Sequence, residues 1–279
     1  MTASFALTAC GEDAVAEEGI GEVSFNVYGE EYIEEGIPTE EFEDGFSAVF
    51  DQFLIVVGDV EVKDSSGASG GALSGSWLLD LVKPGPHEIG STGKISARSY
   101  DQVGYETPAY SASTGLHSSA TESDAALMAA GGYSVYVSGS ATRGGVTKIF
   151  KWGFTGGTHY GECTQVDSSG EVVRQGLVLA NGGILPVQLT IHGDHFFYDD
   201  LAAETAVLRF DAIANADTND DGEVTREELA AVRLSELSEG SYGTGGMTGI
   251  NTLDQFIAAL VSTLGHYRGE GHCHAHQLP

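Results

Sequence analysis

The chain has 279 residues, 41% of them hydrophobic, which is enough for a sizeable core in one large or two modest domains. Asp and Glu total 41 against 12 Lys and Arg, for a formal net charge of −29. A surface this acidic repels polyanions, so we exclude binding to nucleic acid and to anionic lipid. No run of about 18 apolar residues occurs, so no segment is predicted to span a membrane.

The N-terminal segment ends a short apolar stretch with Leu7-Thr8-Ala9-Cys10, which resembles a bacterial lipobox. Only nine residues precede Cys10 and none is basic, so the signal is truncated. Acidic residues dominate the chain after Cys10, and no Lys or Arg occurs before Lys63. We interpret residues 1–20 as a lipoprotein signal and acidic tether, lipidated at Cys10. The alternative is a chance cysteine in a disordered tail.

Residues 21–198 carry the signals of strands, because short runs of β-branched and aromatic residues alternate with glycine-rich turns. Residues 22–28 alternate cleanly, and residues 46–62 are long enough for two strands or one bent strand. The turns "ATRGG" and "NGG" each separate two such runs and predict hairpins. The pattern predicts a mainly β fold, an antiparallel β-sandwich of about eight strands.

The hydrophobic period changes near residue 199, where apolar residues begin to recur at helical spacing. A second helix is predicted over 226–237. A third is predicted from an N-cap at Asn251 to a stop at Gly265. Residues 199–279 are therefore predicted to form a C-terminal helical subdomain.

The segment "DTNDDGEVTREE" at 217–228 matches the calcium loop of an EF-hand. Ca²⁺ prefers six to eight oxygen ligands, and a loop of twelve residues can wrap them around one ion. Gly222 supplies the sharp turn and Val224 the apolar residue that anchors the loop. The predicted ligands are Asp217, Asn219, Asp221, Glu223, Thr225 and Glu228. A single loop of this kind in an exported protein favours a structural Ca²⁺ over a calcium switch.

The three cysteines are Cys10, Cys163 and Cys273. If Cys10 carries lipid, the other two remain as a pair in an oxidising compartment, where a disulfide is expected. This bond would anchor the histidine-rich C-terminal tail.

The histidines suggest a transition-metal site, because imidazole nitrogen is a preferred ligand of copper and zinc. His192 and His195 flank Gly193-Asp194, and Asp194 is either a ligand or a residue that orients a histidine. The candidate ligands are His159, His192, His195, His266, His272 and His274. The alternative is that these histidines are hydrogen-bonded residues at a domain junction.

Four segments carry a resemblance to exported proteins: "FDQFLIVVGDVEV", "KPGPHEIGSTGKISARSYDQVGY", "HYGEC" and "TIHGDHFFYDDL". They resemble lipoproteins of Gram-negative bacteria, notably myxobacterial ones with a single EF-hand loop. More distantly, the order of features over about 20–200 is similar to that of methanobactin-associated periplasmic copper-binding proteins. That resemblance implies an antiparallel sandwich with a histidine copper site near an oxidisable tryptophan. Neither Trp77 nor Trp152 can be assigned to such a site, and the EF-hand loop departs from this family.

The sequence contains no nucleophile elbow and no phosphate-binding loop, so an enzyme is the third interpretation. The first is an exported, lipid-anchored protein that faces the periplasm or the cell surface. It binds one structural Ca²⁺ and one copper or zinc ion. The second is a calcium-stabilised structural or adhesive module without a transition metal.

Overall fold

The computed structural model describes residues 19–201, 206–238 and 241–279. Cys10 and most of the predicted tether lie outside the described residues, so lipidation stays a prediction. None of the described helices combines the length and apolar composition that crossing a membrane requires.

The fold is mainly β, as predicted. The strands are β1 (Ile20–Tyr28), β2 (Ser47–Lys63), β3 (Ser69–Asp80), β4 (His87–Ser96), β5 (Ser99–Tyr100), β6 (Gln102–Thr107), β7 (Gly115–Leu116), β8 (Val135–Arg143), β9 (Val146–Phe154), β10 (Thr158–Gly161), β11 (Thr164–Val166), β12 (Val172–Gln175), β13 (Leu177–Val178), β14 (Ile184–Ile191), β15 (Glu223–Val224), β16 (Gly265–Tyr267) and β17 (His274–Gln277). The α-helices are α1 (Glu30–Glu34), α2 (Glu122–Gly131), α3 (Asp211–Asn215), α4 (Arg226–Ala231) and α5 (Leu253–Leu260). Short 3₁₀ helices cover Thr39–Glu41, Asp194–Phe197, Leu234–Glu236 and Val261–Thr263.

A four-stranded sheet has the order β16-β14-β1-β4. Alternate residues of β1, Val23, Phe25 and Val27, are fully buried, because successive side chains of a strand point to opposite faces. This sheet brings β14, which precedes the first histidine pair, beside β16, which carries His266.

A nine-stranded sheet has the order β15-β9-β8-β2-β6-β10-β17, with β3 attached to β2 and β7 attached to β3. The long β run is a single 17-residue strand, β2, whose pairing shifts register between Gly58 and Val60. Asp59 takes a left-handed φ of 47° at that point, so the strand bends rather than breaks.

The predicted antiparallel pairing holds for most strands, but three pairs of the described strands are parallel: β1–β14, β3–β7 and β9–β15. The pattern could not reveal this, since a parallel pair brings together strands that are far apart in the chain. Strands β1 and β14, for example, pair Glu22 with Ile184.

The predicted helix that starts at residue 199 is also wrong over most of the residues that the structure describes there. Among 199–201 and 206–216, Asp211–Asn215 alone is helical, while Leu208 forms isolated bridges with Tyr198 and Phe42. The Asp199 carboxylate stabilises the extended conformation, because it accepts hydrogen bonds from Val207 N–H and Arg209 Nε–H. These tertiary contacts override the local helical spacing.

Two further differences concern the N-cap of α5 and the presence of α2. The N-cap of α5 is Thr252, not Asn251, and its hydroxyl accepts from Gln255 N–H. Helix α2 was not predicted. It begins with a capping box in which Thr121 and Asp124 bond each other's backbone N–H.

The C-terminal third shares the main core and contributes β15, β16 and β17 to the two large sheets. Four phenylalanine rings of this core pack against one another, and the centroids of each contacting pair are at most 6.3 Å apart. They belong to Phe50, Phe150, Phe197 and Phe210. Trp152 is fully buried and donates its indole N–H to the Val224 carbonyl at 2.9 Å. This bond ties the 217–228 loop to the sheet.

Candidate metal centre

Three buried imidazoles meet where β14 ends and α5 gives way to β16. His192, His195 and His266 are 6%, 4% and 9% exposed, and each offers a ring nitrogen within 4.8 Å of the others. The ring centroids of His192 and His266 lie 4.1 Å apart, and that of His195 lies 5.4 Å and 5.1 Å from them. Histidine rings this close and this buried could hold one metal ion through their nitrogens.

Strand pairing places His192 beside His266. Thr190 of β14 lies opposite His266 of β16, and the His192 backbone N–H continues the ladder by donating to the Leu264 carbonyl at 2.9 Å. His192 is two residues beyond Thr190 and therefore on the same face, diagonal to His266. The chain then turns at Gly193 into the short 3₁₀ helix that carries His195. A Cβ on Gly193 would meet Ile33 Cγ1 at 2.5 Å, so glycine permits this tight packing.

A hydrogen bond fixes the tautomer of His195. Thr263 Oγ1 donates its hydrogen to the Leu260 carbonyl at 2.8 Å and lies 2.8 Å from His195 Nδ1. A hydroxyl has one hydrogen, so Thr263 accepts from His195 Nδ1–H. In the neutral ring Nε2 then carries the free lone pair, and the orienting bond is the kind that accompanies metal-binding histidines.

The other two imidazoles keep nitrogens without partners. His192 Nε2 and His266 Nδ1 are buried and make no hydrogen bond. Such groups normally find a partner, because burying a polar atom without one costs about 1–3 kcal/mol. A bound cation would satisfy both nitrogens.

Burial keeps His195 and His266 neutral. It lowers the pKa of His266 to about 3, with further lowering from His192 and His272. Burial also lowers the pKa of His195 well below its ordinary value, and His266 and His192 add to the effect. At neutral pH these two rings are therefore unprotonated, which is the form that binds metal.

A cavity of about 400 Å³ opens onto the histidines. His195, His266, Tyr198 and Glu270 line it. Tyr198 stacks against His195 at 4.4 Å between ring centroids and donates its hydroxyl to Asp194 Oδ2 at 3.2 Å. The cavity provides an approach for a small ligand or an exchanging ion.

Two carboxyl groups approach the other side of His192. Glu30 Oε2 lies 3.6 Å from His192 Nε2, and Asp194 is buried nearby. Burial raises the pKa of Glu30 and of Asp194, while His192 opposes the shift in each. Glu30, His192 and Glu270 form a second group whose ligand atoms lie within 4.8 Å of one another.

The remaining predicted histidines lie apart from this cluster. His272 is at the rim, with its ring centroid 5.7 Å from that of His266. His159 faces Glu106 on the larger sheet, with its Nδ1 3.5 Å from the carboxylate. His274 is exposed and pairs with Glu162 at 2.9 Å. Of the six predicted ligands, three therefore lie together in the buried cluster and His272 lies at its edge. His159 and His274 lie away from the cluster.

The predicted disulfide between Cys163 and Cys273 is present. Cys273 lines the cavity, and the bond connects it to residue 163, 110 positions earlier. Together with the pairing of β17 and β10, it holds the C-terminal tail beside the histidines.

Sequence reasoning missed Glu30, Thr263 and Glu270 as neighbours of the histidines. Glu30 is one of many acidic residues that precede Lys63, so the sequence does not distinguish it from its neighbours. Thr263 is marked only by its position at the end of an amphipathic helix.

The 217–228 loop folds around its own side chains. Asp217 Oδ2 accepts from Gly222 N–H at 2.9 Å and from Lys148 Nζ at 2.6 Å, and this lysine lowers the pKa of the Asp217 carboxyl. Asp221 N–H donates to Asn219 Oδ1 at 2.8 Å, and Gly222 has a left-handed φ of 86°. These bonds shape the loop, although its carboxylates do not form a group of three within 4.8 Å in the described residues.

Glu228 ends the loop in a capping box. Its Oε2 accepts from the Thr225 backbone N–H and hydroxyl, both at 2.9 Å. Its Oε1 is buried without a hydrogen-bond partner. One carboxylate oxygen therefore caps the start of α4, and the other has no hydrogen-bond partner.

Comparisons with known proteins add little to the geometric evidence for a metal site. No family model matches the chain, and no curated protein is significantly similar to it. The solved structures include one match, MbnP from Methylosinus trichosporium, with 10% identity over 64% of this chain and 77% of that one, and a TM-score of 0.31. At that score the likeness carries no inference about function. The resemblance to myxobacterial lipoproteins found no support.

Proposed function

We propose that this is an exported metal-binding protein whose centre holds copper, or alternatively zinc, through His192, His195 and His266. The observation that carries the proposal is the buried cluster itself, in which two ring nitrogens have no hydrogen-bond partner. The Thr263 hydrogen bond leaves His195 Nε2 as the third available nitrogen.

The donor set favours copper and zinc among the common biological metals, because imidazole suits these ions while Ca²⁺ and Mg²⁺ prefer oxygen. Three histidines leave at least one coordination position, and the 400 Å³ cavity lies beside it. Such an open site suits an exchangeable ion. It also leaves room for a metal-dependent reaction, our third hypothesis.

Elemental analysis after exhaustive dialysis tests this proposal. The protein, first incubated with Cu²⁺ or Zn²⁺, is expected to retain about one equivalent of transition metal. Retention of calcium alone would reject the histidine site and favour the structural or adhesive module. A triple variant, His159→Ala, His274→Ala and His276→Ala, controls for binding by surface histidines and is expected to retain the same equivalent.

Replacing Thr263 by valine tests how His195 is oriented. The variant keeps the shape of the side chain but removes the acceptor of His195 Nδ1–H, so the ring loses its fixed tautomer. We expect metal affinity to fall about 10- to 100-fold, as is typical when an outer-sphere partner is lost. Competition titration against a chelator measures this. Ser262→Ala, at the adjacent residue, is the control, and equal affinities in all three proteins would contradict the proposed role.

We also propose that the 217–228 loop binds one structural Ca²⁺, as its EF-hand spacing predicts. Two observations support this: the left-handed Gly222 at the turn and the unpartnered Glu228 Oε1, at the position that supplies the last carboxylate of such a loop. Trp152 and the β9–β15 pairing attach the loop to the large sheet. Calcium bound here would stabilise that connection.

Calcium binding predicts a shift in thermal stability. At free Ca²⁺ about 100-fold above Kd, binding stabilises the folded state by about 2.7 kcal/mol. Glu228→Gln is expected to remove most of this gain, whereas Glu227→Gln, an exposed neighbour, is expected to retain it. The measurement is the difference in Tm with Ca²⁺ and with a calcium chelator. No difference in the wild-type protein would reject the calcium site.

Three further proposals concern architecture and location. The main core includes residues of both large sheets, which supports a β-sandwich. We propose residues 21–198 as this β-sandwich domain and 199–279 as an EF-hand subdomain that shares its core and contributes β15, β16 and β17 to its sheets. The disulfide supports export to an oxidising compartment, and lipidation at Cys10 would attach the protein to the outer membrane.

A further inference from the structure

Lys148 of β9 binds the first predicted ligand of the 217–228 loop, Asp217. We propose that the fixed positive charge of Lys148 sets the calcium affinity of this loop and keeps it weak, in the range of about 10⁻⁴–10⁻³ M that is typical of extracellular calcium modules. This inference rests on the proposed calcium site and adds the residue that determines how tightly the site binds its ion.

Strand pairing presents Lys148 to the start of the loop. Strand β9 runs parallel to β15 with Ile149 opposite Glu223, and the Ile149 N–H donates to the Gly222 carbonyl at 2.8 Å. The lysine that precedes Ile149 donates from its Nζ to Asp217 Oδ2 at 2.6 Å. The large sheet therefore fixes the backbone on which this ammonium group is carried.

The ion pair is covered, unlike a second lysine–carboxylate pair at the same loop. The Asp217 side chain has no exposed surface, and 13% of the Lys148 side chain is exposed. Lys151 Nζ lies 2.8 Å from Glu223 Oε2, but about half of that lysine is exposed. Water and salt screen exposed pairs, so such pairs have little effect. We therefore expect Lys148 to influence the loop more strongly than Lys151.

The Asp217 carboxylate already has three donors before an ion binds. Its Oδ2 accepts from Gly222 N–H at 2.9 Å and from Lys148, and its Oδ1 accepts from Asp221 N–H at 3.2 Å. Calcium needs an oxygen of this carboxylate, so it must share the group with the ammonium or displace the ammonium. Sharing places two positive charges close together, and displacement breaks the ion pair. Either outcome lowers the calcium affinity.

The charge of the ligand set leads to the same conclusion. The predicted ligands include three carboxylates, those of Asp217, Asp221 and Glu228. The affinity of such loops depends on the number of charged ligands and on rigidity. Lys148 offsets one of the three charges, and it also lies 3.7 Å from Asp220 Oδ1, a carboxylate outside the predicted ligand set. Calcium therefore meets a loop with less negative charge than its ligand sequence indicates.

Calorimetric titration with Ca²⁺ compares the wild-type protein with Lys148→Met, which keeps a long unbranched side chain but removes the charge. We expect the variant to bind Ca²⁺ at least about tenfold more tightly, because affinity follows the charge of the ligand set. Lys148→Arg retains the charge and should stay within about threefold of the wild type. Lys151→Met removes the same charge from the exposed pair with Glu223, so this matched control should also stay within about threefold.

A gain in affinity distinguishes this role from a structural one, because a variant that disturbs the packing of the loop would bind Ca²⁺ more weakly. Circular dichroism verifies folding, and Lys148→Gln serves as a second neutral variant if Lys148→Met does not fold. Unchanged or weaker binding by the folded neutral variant, or an equal gain in Lys148→Arg or Lys151→Met, would overturn the inference while the calcium site stands. If neither the wild-type protein nor any variant binds Ca²⁺, the proposed calcium site itself fails.

Discussion

Replacing His266 with glutamine is expected to lower the affinity for Cu²⁺ or Zn²⁺ by more than about 100-fold. His266 lies 4.1 Å from His192 and 5.1 Å from His195 between ring centroids, at the centre of the cluster. Loss of an outer-sphere partner typically costs 10- to 100-fold, and loss of a direct ligand should cost more. The measurement is a competition titration with a chelator of known affinity.

His274→Gln is the control for this experiment. Its side chain is 72% exposed and paired with Glu162, so we expect no change in stoichiometry or affinity. The glutamine at 266 retains polar atoms and much of the volume, and circular dichroism verifies folding. A folded His266→Gln protein that binds metal as tightly as the wild type would show that the ion binds elsewhere.

Removing the disulfide is expected to have the largest effect on stability. Replacing Cys163 and Cys273 together with alanine frees a loop whose ends are 110 positions apart. In the chain-entropy model the folded state then loses about 4–5 kcal/mol relative to the unfolded state. Equilibrium unfolding in guanidinium chloride measures the difference in free energy.

Reductant provides the internal control for this prediction. The reduced wild-type protein should unfold close to the double variant, and the variant should be insensitive to reductant. Unfolding curves that coincide for the oxidised wild type and the double variant would contradict the stabilising role. Metal affinity measured on the same variant shows how far the centre depends on the tethered tail.

Local patterns were sufficient for the mainly β fold and the disulfide. They named six candidate histidines without showing which of them would lie together. The alternation of buried and exposed residues in β1 and the strand over residues 46–62 depend on residues that are adjacent in the chain. Such patterns can be read directly from the sequence. The disulfide followed from counting, since only Cys163 and Cys273 remain once Cys10 is set aside. Histidine ligands are recognisable because the residue type itself indicates the chemistry.

The arrangement of the centre depends on long-range pairing, which local patterns do not contain. His192 and His266 meet because β14 pairs with β16, whereas His159 and His274 lie in the other large sheet, where β10 pairs with β17. Glu30 approaches His192 through α1, whose sequence is indistinguishable from the acidic residues around it. The helix predicted after residue 199 failed for the same reason, because Asp199 binds Arg209 and holds the chain extended.

The most direct test of the metal centre is a crystal structure of the metal-soaked protein, with anomalous difference maps collected on both sides of the copper or zinc absorption edge. We predict one dominant peak within about 2.0–2.2 Å of ring nitrogens of His192, His195 and His266. A dominant peak at His159 or His274 with none among the buried histidines would contradict the account.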